Sequence, residues 1–131
     1  MKRALTLSMF VAIAAIPVLA SAGTKSSNPV SIDTVNRRAS GSTGSTRNTS
    51  PSGSYIGCQV IASGASSSVV CSARVGGASP VFRSCSSSTA AMVTAAAAIG
   101  TDSDIVFYWD TSGVCSTIYT SNYSDNEPKA P

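Results

Sequence analysis

The chain has 131 residues, nine Lys and Arg against six Asp and Glu, a formal net charge of +3, four cysteines and no histidine. The missing histidine excludes Ser-His-Asp and Cys-His nucleophilic sites and any imidazole general base. The length suits one small domain with flanking segments, and so slight a positive excess is no argument for a nucleic-acid or membrane-binding surface.

Residues 1–22 read as a cleavable export signal. Lys2 and Arg3 form a positive start, Leu5 to Leu19 is nearly continuous apolar sequence, and Ala20-Ser21-Ala22 supplies the small-x-small cleavage pattern. The apolar run is shorter than the roughly 20 residues of a membrane span. No other long apolar run follows, so no membrane span is expected after cleavage and the location is secreted or periplasmic. Cleavage removes Lys2 and Arg3, which leaves seven cations against six acids, a net of +1.

Residues 23–54 are rich in Ser, Thr, Gly and Asn, with Val30, Ile32 and Val35 the aliphatic side chains beyond alanine. Such a segment buries too little apolar surface to offset the entropy of ordering it, so it is expected to be a disordered leader. From Tyr55 the composition shifts: every cysteine and tyrosine and the single tryptophan lie beyond this point. Residues 55–122 are expected to form the domain, and residues 123–131 a polar tail.

Within the domain, Ser54 to Ala62 alternates with Ile56, Cys58 and Val60 on one face. Ser68 to Val75 alternates with Val69, Cys71 and Ala73, and Pro80 to Cys85 is a short third strand. Ser63-Gly64-Ala65-Ser66 and Gly76-Gly77 are turn chemistry, so the three strands read as an antiparallel meander. In Ser86 to Gly100 the period changes: Met92, Ala95, Ala96 and Ile99 recur at helical spacing, Ser88 or Thr89 is placed to cap the start, and Gly100 to end it. Asp104 to Asp110 is the strongest strand signal, apolar on both faces. It suits an interior strand or one with a side left for a partner. Asp110-Thr111-Ser112-Gly113 turns the chain, and Val114 to Thr120 returns. The expected fold class is a small disulfide-bonded α+β domain: a three-strand meander, one helix, then a β-hairpin, with the helix on one sheet face.

The cysteines follow one another at spacings of 13, 14 and 30 residues, with no C-x-x-C. That disfavours a clustered zinc or redox site, and export favours two structural disulfides; no metal or cofactor is expected. Cys71 and Cys85 flank a turn, so Cys71–Cys85 with Cys58–Cys115 is the leading pairing. Cys58 and Cys71 flank their own turn as symmetrically, which keeps Cys58–Cys71 with Cys85–Cys115 open.

Candidate chemistry is sparse. Asp102 and Asp104 are two residues apart at one end of a strand, and a glycosidase needs two carboxyls about 5–10 Å apart. Solvated turn carboxylates are the simpler reading, so no enzyme is expected; a carboxylate-based hydrolase and a secreted inhibitor or effector are the alternatives. On an alternating strand Phe107 and Tyr108 point oppositely. If Phe107 faces the helix, Tyr108 faces away, joined by Tyr119 if the registers match. Exposed tyrosines suit stacking on a sugar ring, so Tyr108 and Tyr119 are the candidate ligand-binding residues, with a cell-surface glycan or a protein as partner.

The run Cys71-Ser-Ala-Arg74, Ser84-Cys85, the alanine-rich helix, Ser103-Asp104-Ile105, Trp109-Asp110, Gly113-Val-Cys115, Asn122-Tyr-Ser124 and Pro128-Lys129 resembles a pattern in small secreted four-cysteine proteins of Gram-negative bacteria. The resemblance spans Tyr55 to Lys129. It implies export and the domain boundary, and brings no functional residues with it.

Overall fold

The computed structural model describes residues 23–130. The export signal expected over 1–22 lies outside the described residues. The elements run β1 (Ser31–Asp33), β2 (Arg38–Ser42), α1 (Thr43–Asn48), β3 (Tyr55–Ser63), β4 (Ser66–Val75), β5 (Val81–Ser87), α2 (Ala90–Ala97), β6 (Asp104–Trp109) and β7 (Cys115–Ser121). They form a small α+β domain with two antiparallel sheets, one ordered β1-β2-β6-β7 and the other β3-β4-β5.

The meander forms as the alternating pattern dictates, with Val60 opposite Val69 and Val69 opposite Ser87. The final hairpin also forms. Its turn is held by Asp110 Oδ1, which accepts the N–H groups of Ser112 (2.8 Å) and Val114 (2.9 Å). Gly113 takes the positive φ of 80° that closes the turn without a Cβ penalty. Helix α2 is shorter than expected. Thr89 occupies its N-cap position but makes no side-chain capping bond, and the helix stops at Ala98 rather than at Gly100. The Gly100 N–H instead donates to Ser103 Oγ (2.6 Å).

The largest departure is at the N-terminal side. Residues 23–54, expected as a disordered leader, supply β1, β2 and α1, and β2 pairs along its length with β6. The expected order of meander, helix and hairpin is therefore preceded by three further elements, and β6 is interior because the leader covers its edge. The physical reason is that burial here is achieved by small residues. Ala39, Gly41, Ser42, Ser45 and Thr46 are all buried, and hydrogen bonds supply what apolar area does not. Ser42 caps α1 by accepting the Ser45 N–H (3.1 Å). Ser45 Oγ accepts the Asn28 N–H (3.0 Å), and the Ser42 N–H donates to Asn28 O (2.7 Å).

The polar tail over 123–131 is likewise held rather than loose across its described part. The Ser26 N–H donates to Asp125 O (2.7 Å), Lys25 Nζ to Ser124 O (2.7 Å) and Asn48 Nδ2 to Pro128 O (2.9 Å), while the Ala130 N–H donates to Asn48 Oδ1 (2.8 Å). Gly44 faces Glu127 O so closely that a Cβ there would overlap it. Residues from both flanking stretches, 23–54 and 123–130, thus pack with the 55–122 unit.

Both sheets and α2 contribute to one core. Phe107 and Ile105 of β6, Val69, Cys71 and Ala73 of β4, Ala39, Trp109, Ile118 and Ala96 are buried together. Helix α2 does not simply cover one sheet. It packs on β7 of one sheet and on β3 and β4 of the other, and Thr120 Oγ1 donates to Ala95 O (2.9 Å).

The disulfides are Cys58–Cys71 and Cys85–Cys115. This corrects the leading expectation of Cys58–Cys115 with Cys71–Cys85. The register explains why. Cys71 is directly opposite Cys58 on β3 and directly opposite Cys85 on β5, so three cysteines form one row across the sheet. A central strand directs the N–H and C=O of any one residue toward a single neighbour. It therefore makes a close non-hydrogen-bonded pair on one side and a wider hydrogen-bonded pair on the other. The Cα atoms of Cys58 and Cys71 are 3.9 Å apart, which puts the close pair on the β3 side. Cys85 is left to reach across to Cys115, Cα–Cα 4.9 Å, and this bond ties the two sheets together. Beside it the Ser86 N–H donates to Gly113 O (3.1 Å).

Among the described residues no helix is long and apolar enough to cross a membrane. That and the two disulfides are compatible with an extracellular or periplasmic location.

Candidate functional site

Strand β6 alternates strictly. Ile105, Phe107 and Trp109 are buried and point into the core, while Asp104, Val106 and Tyr108 are only partly covered on the opposite face. On β7, Ile118 points inward and Tyr119 outward. The register sets Val106 opposite Tyr119 and Tyr108 opposite Thr117. Tyr108 and Tyr119 are therefore diagonal neighbours, and their rings meet edge to face with centroids 6.5 Å apart and an interplanar angle of 80°. Tyr119 is 59% exposed. An edge-to-face contact holds one ring upright against the other and leaves an apolar ring face open to solvent.

The rest of this outer face comes from β2 and β1. Arg38 lies opposite Tyr108, Ser40 opposite Val106, and Asp33 opposite Arg38. The surface thus carries two aromatic rings, one guanidinium, the Asp33 carboxylate and short hydroxyls on an antiparallel sheet. Asp33 is tied down locally. The backbone N–H and then the side-chain amide of Asn36 hold its carboxyl below the usual aspartate range, with smaller help from the Val35 N–H and the Arg38 charge.

The two candidate hydrolytic carboxylates have different surroundings. Asp102 lines a cleft of about 420 Å³ with Tyr123, Asn122 and Ser103, and Asp104 is not among its walls. Asp104 Oδ1 accepts the Asn28 amide (2.7 Å), and Asp102 Oδ1 accepts the Lys129 N–H (3.4 Å). Each carboxylate has a structural partner. Among the described residues no cluster of three or more His, Cys, Asp or Glu side chains is placed to hold a metal ion.

Arg38 is the contributor to this face that sequence reasoning missed. It sits in the segment expected to be disordered, and only the β2–β6 register brings it beside Tyr108. A second group is brought together beside α1. Thr46, Arg47, Tyr55 and Lys129 line one cleft although they come from three separate stretches of chain. Comparison of the chain with protein-family models, with curated proteins and with solved structures finds no match.

Proposed function

We propose that the protein is an exported, non-enzymatic binding module of the cell envelope or extracellular space, and that it holds a cell-surface glycan on the outer face of the β1-β2-β6-β7 sheet. The observation that carries this reading is the Tyr108–Tyr119 pair, two rings in contact on the face opposite the core. A pyranose presents apolar C–H groups on one face, which suit an exposed ring, and hydroxyls at its rim, which suit Arg38 and Ser40. The likeness to small secreted four-cysteine proteins agrees with export and is silent on ligand.

The test is retention of the purified protein on cell-wall polysaccharide columns, together with a glycan array. Wild-type protein should be retained, and Tyr119→Ala should lose retention while keeping its melting temperature, because the side chain is largely outside the core. A blank array with no retention on any cell-wall fraction refutes the reading.

A further inference from the structure

The cleft beside α1 has a volume of about 440 Å³, within the range of about 300–1,000 Å³ typical of small-molecule sites. Thr46 lines it, is only 3% exposed, and its Oγ1 has no hydrogen-bond partner. That oxygen has almost no accessible surface, so it lies behind the cleft wall rather than on it, and the Oε2 of Glu127 is a second buried side-chain oxygen without a partner.

The charged side chains that line the cleft are both cations. Arg47 and Lys129 both line the cleft. Lys129 meets Asp102 through its backbone N–H, which leaves its ammonium group outside that contact. Glu127 lies in the same C-terminal stretch but is not part of the lining. No acidic residue occurs between Asp33 and Asp102, so the cleft's walls from α1 and the start of β3 carry no negative charge. The remaining wall is mixed: the Tyr55 ring and Ile56 offer apolar surface, and Ser52 a hydroxyl.

We propose that this cleft binds one acidic monosaccharide unit, a pyranose bearing a carboxylate. The carboxylate is held by the Arg47 guanidinium and the Lys129 ammonium, where charge-assisted bonds are strongest. The ring packs on Tyr55 and its hydroxyls turn toward Ser52. A bare inorganic anion would use the cations and leave the Tyr55 wall empty, and a neutral sugar would leave the cations unused. The proposal goes beyond the glycan face carrying Tyr108 and Tyr119 and does not rest on it.

The experiment is an NMR titration of the isotope-labelled, disulfide-intact protein with glucuronate, glucose and inorganic phosphate in parallel. Glucuronate should shift the amides of Thr46, Arg47, Tyr55 and Lys129, with glucose and phosphate shifting them far less. Replacing both exposed cations, Arg47→Gln with Lys129→Gln, should weaken glucuronate binding about tenfold or more, the loss of one or two charge-assisted hydrogen bonds. The double cation variant alters only exposed side chains, so its melting temperature should match wild type and weakened binding reports the site itself. Equal shifts with phosphate would mean a generic anion site, and equal shifts with glucose a neutral-sugar site. Either result, or cleft amides that do not move, or a cation variant that binds like wild type, overturns the proposal. None of these bears on Tyr119→Ala, so this site and the tyrosine face fail separately.

Discussion

Replacing Cys85 and Cys115 together with alanine removes the covalent bond between the two sheets and leaves Cys58–Cys71 intact. The bond closes a loop of 30 residues. In the unfolded-state entropy model, that loop corresponds to about 3.6 kcal/mol at 25 °C. The shorter loop of 13 residues closed by Cys58–Cys71 corresponds to about 2.9 kcal/mol. The native-state positions widen this difference. Cys58 and Cys71 join strands already hydrogen-bonded along their whole length, whereas Cys85–Cys115 joins strands of different sheets. At about 4 °C per kcal/mol for a chain of this size, the Cys85/Cys115 variant should melt about 15 °C below wild type. The Cys58/Cys71 variant should lose less. Thermal and urea unfolding followed by circular dichroism measures both, and non-reducing peptide mapping verifies the pairing that remains. The reasoning is refuted if the Cys58/Cys71 variant is the less stable of the two, or if mapping of wild type recovers a Cys58–Cys115 crosslink.

Other perturbations test the ordered N-terminal segment. A chain beginning at Tyr55 should lack the near-ultraviolet signal of a packed Trp109 and should aggregate, because β6 would expose the edge that β2 covers; a monomeric truncation with native-like tryptophan dichroism would restore the leader reading. Gly44→Val should displace the 125–130 segment from α1, since a Cβ at that position overlaps Glu127 O, and loss of amide protection around Ser26 and Asn126 is the readout. Asp33 should titrate below the ordinary aspartate range and move up toward it in Asn36→Ala. Because its folded-state pKa is depressed, its contribution to the β1–β2 turn is present above the ordinary carboxylate value and lost as pH falls through the lower folded value. A carboxyl-carbon NMR titration that finds Asp33 at its ordinary value contradicts this.

Strands β3 to β7 and helix α2 were legible because their residues alternate or recur with enough apolar weight to show a period. Ile105, Phe107 and Trp109 against Val106 and Tyr108 is such a case, and the same alternation puts Tyr108 and Tyr119 on one face. The elements between 23 and 54 carry no such signal. Ala39, Gly41 and Ser42 form a buried strand with almost no side-chain volume, and what makes β2 a strand is the hydrogen-bonding edge of β6, 60 and more residues away in sequence. Low hydrophobicity predicts disorder only when a segment must bury its own apolar surface; here the segment is buried by small size and by pairing with a partner that brings the surface. The disulfide pairing was illegible for a related reason. Both hairpins place a cysteine opposite Cys71, and only the alternation of close and wide pairs across β4 separates them.

That distinction also explains why the positive cleft was invisible in the sequence. Arg47 and Lys129 are 82 residues apart, each in a stretch that composition assigns to solvent. They converge because Gly44 lets the C-terminal stretch lie directly on α1, with Asn48 bonded to both Pro128 O and the Ala130 N–H. The two weakly hydrophobic ends of the described chain thus order each other. Their hydrogen bonds are individually modest, about 1 kcal/mol each, but four of them act at once along one seam. The cations gathered there line a cleft that no acidic side chain lines, and the two tyrosines lie on the outer sheet face. One surface is aromatic and nearly neutral, around Tyr108 and Tyr119. The other is the cleft lined by Arg47 and Lys129. An acidic polysaccharide long enough to reach both would be held by stacking at one and by charge at the other. Raising ionic strength should then weaken its binding only to the level that the tyrosine face alone supports.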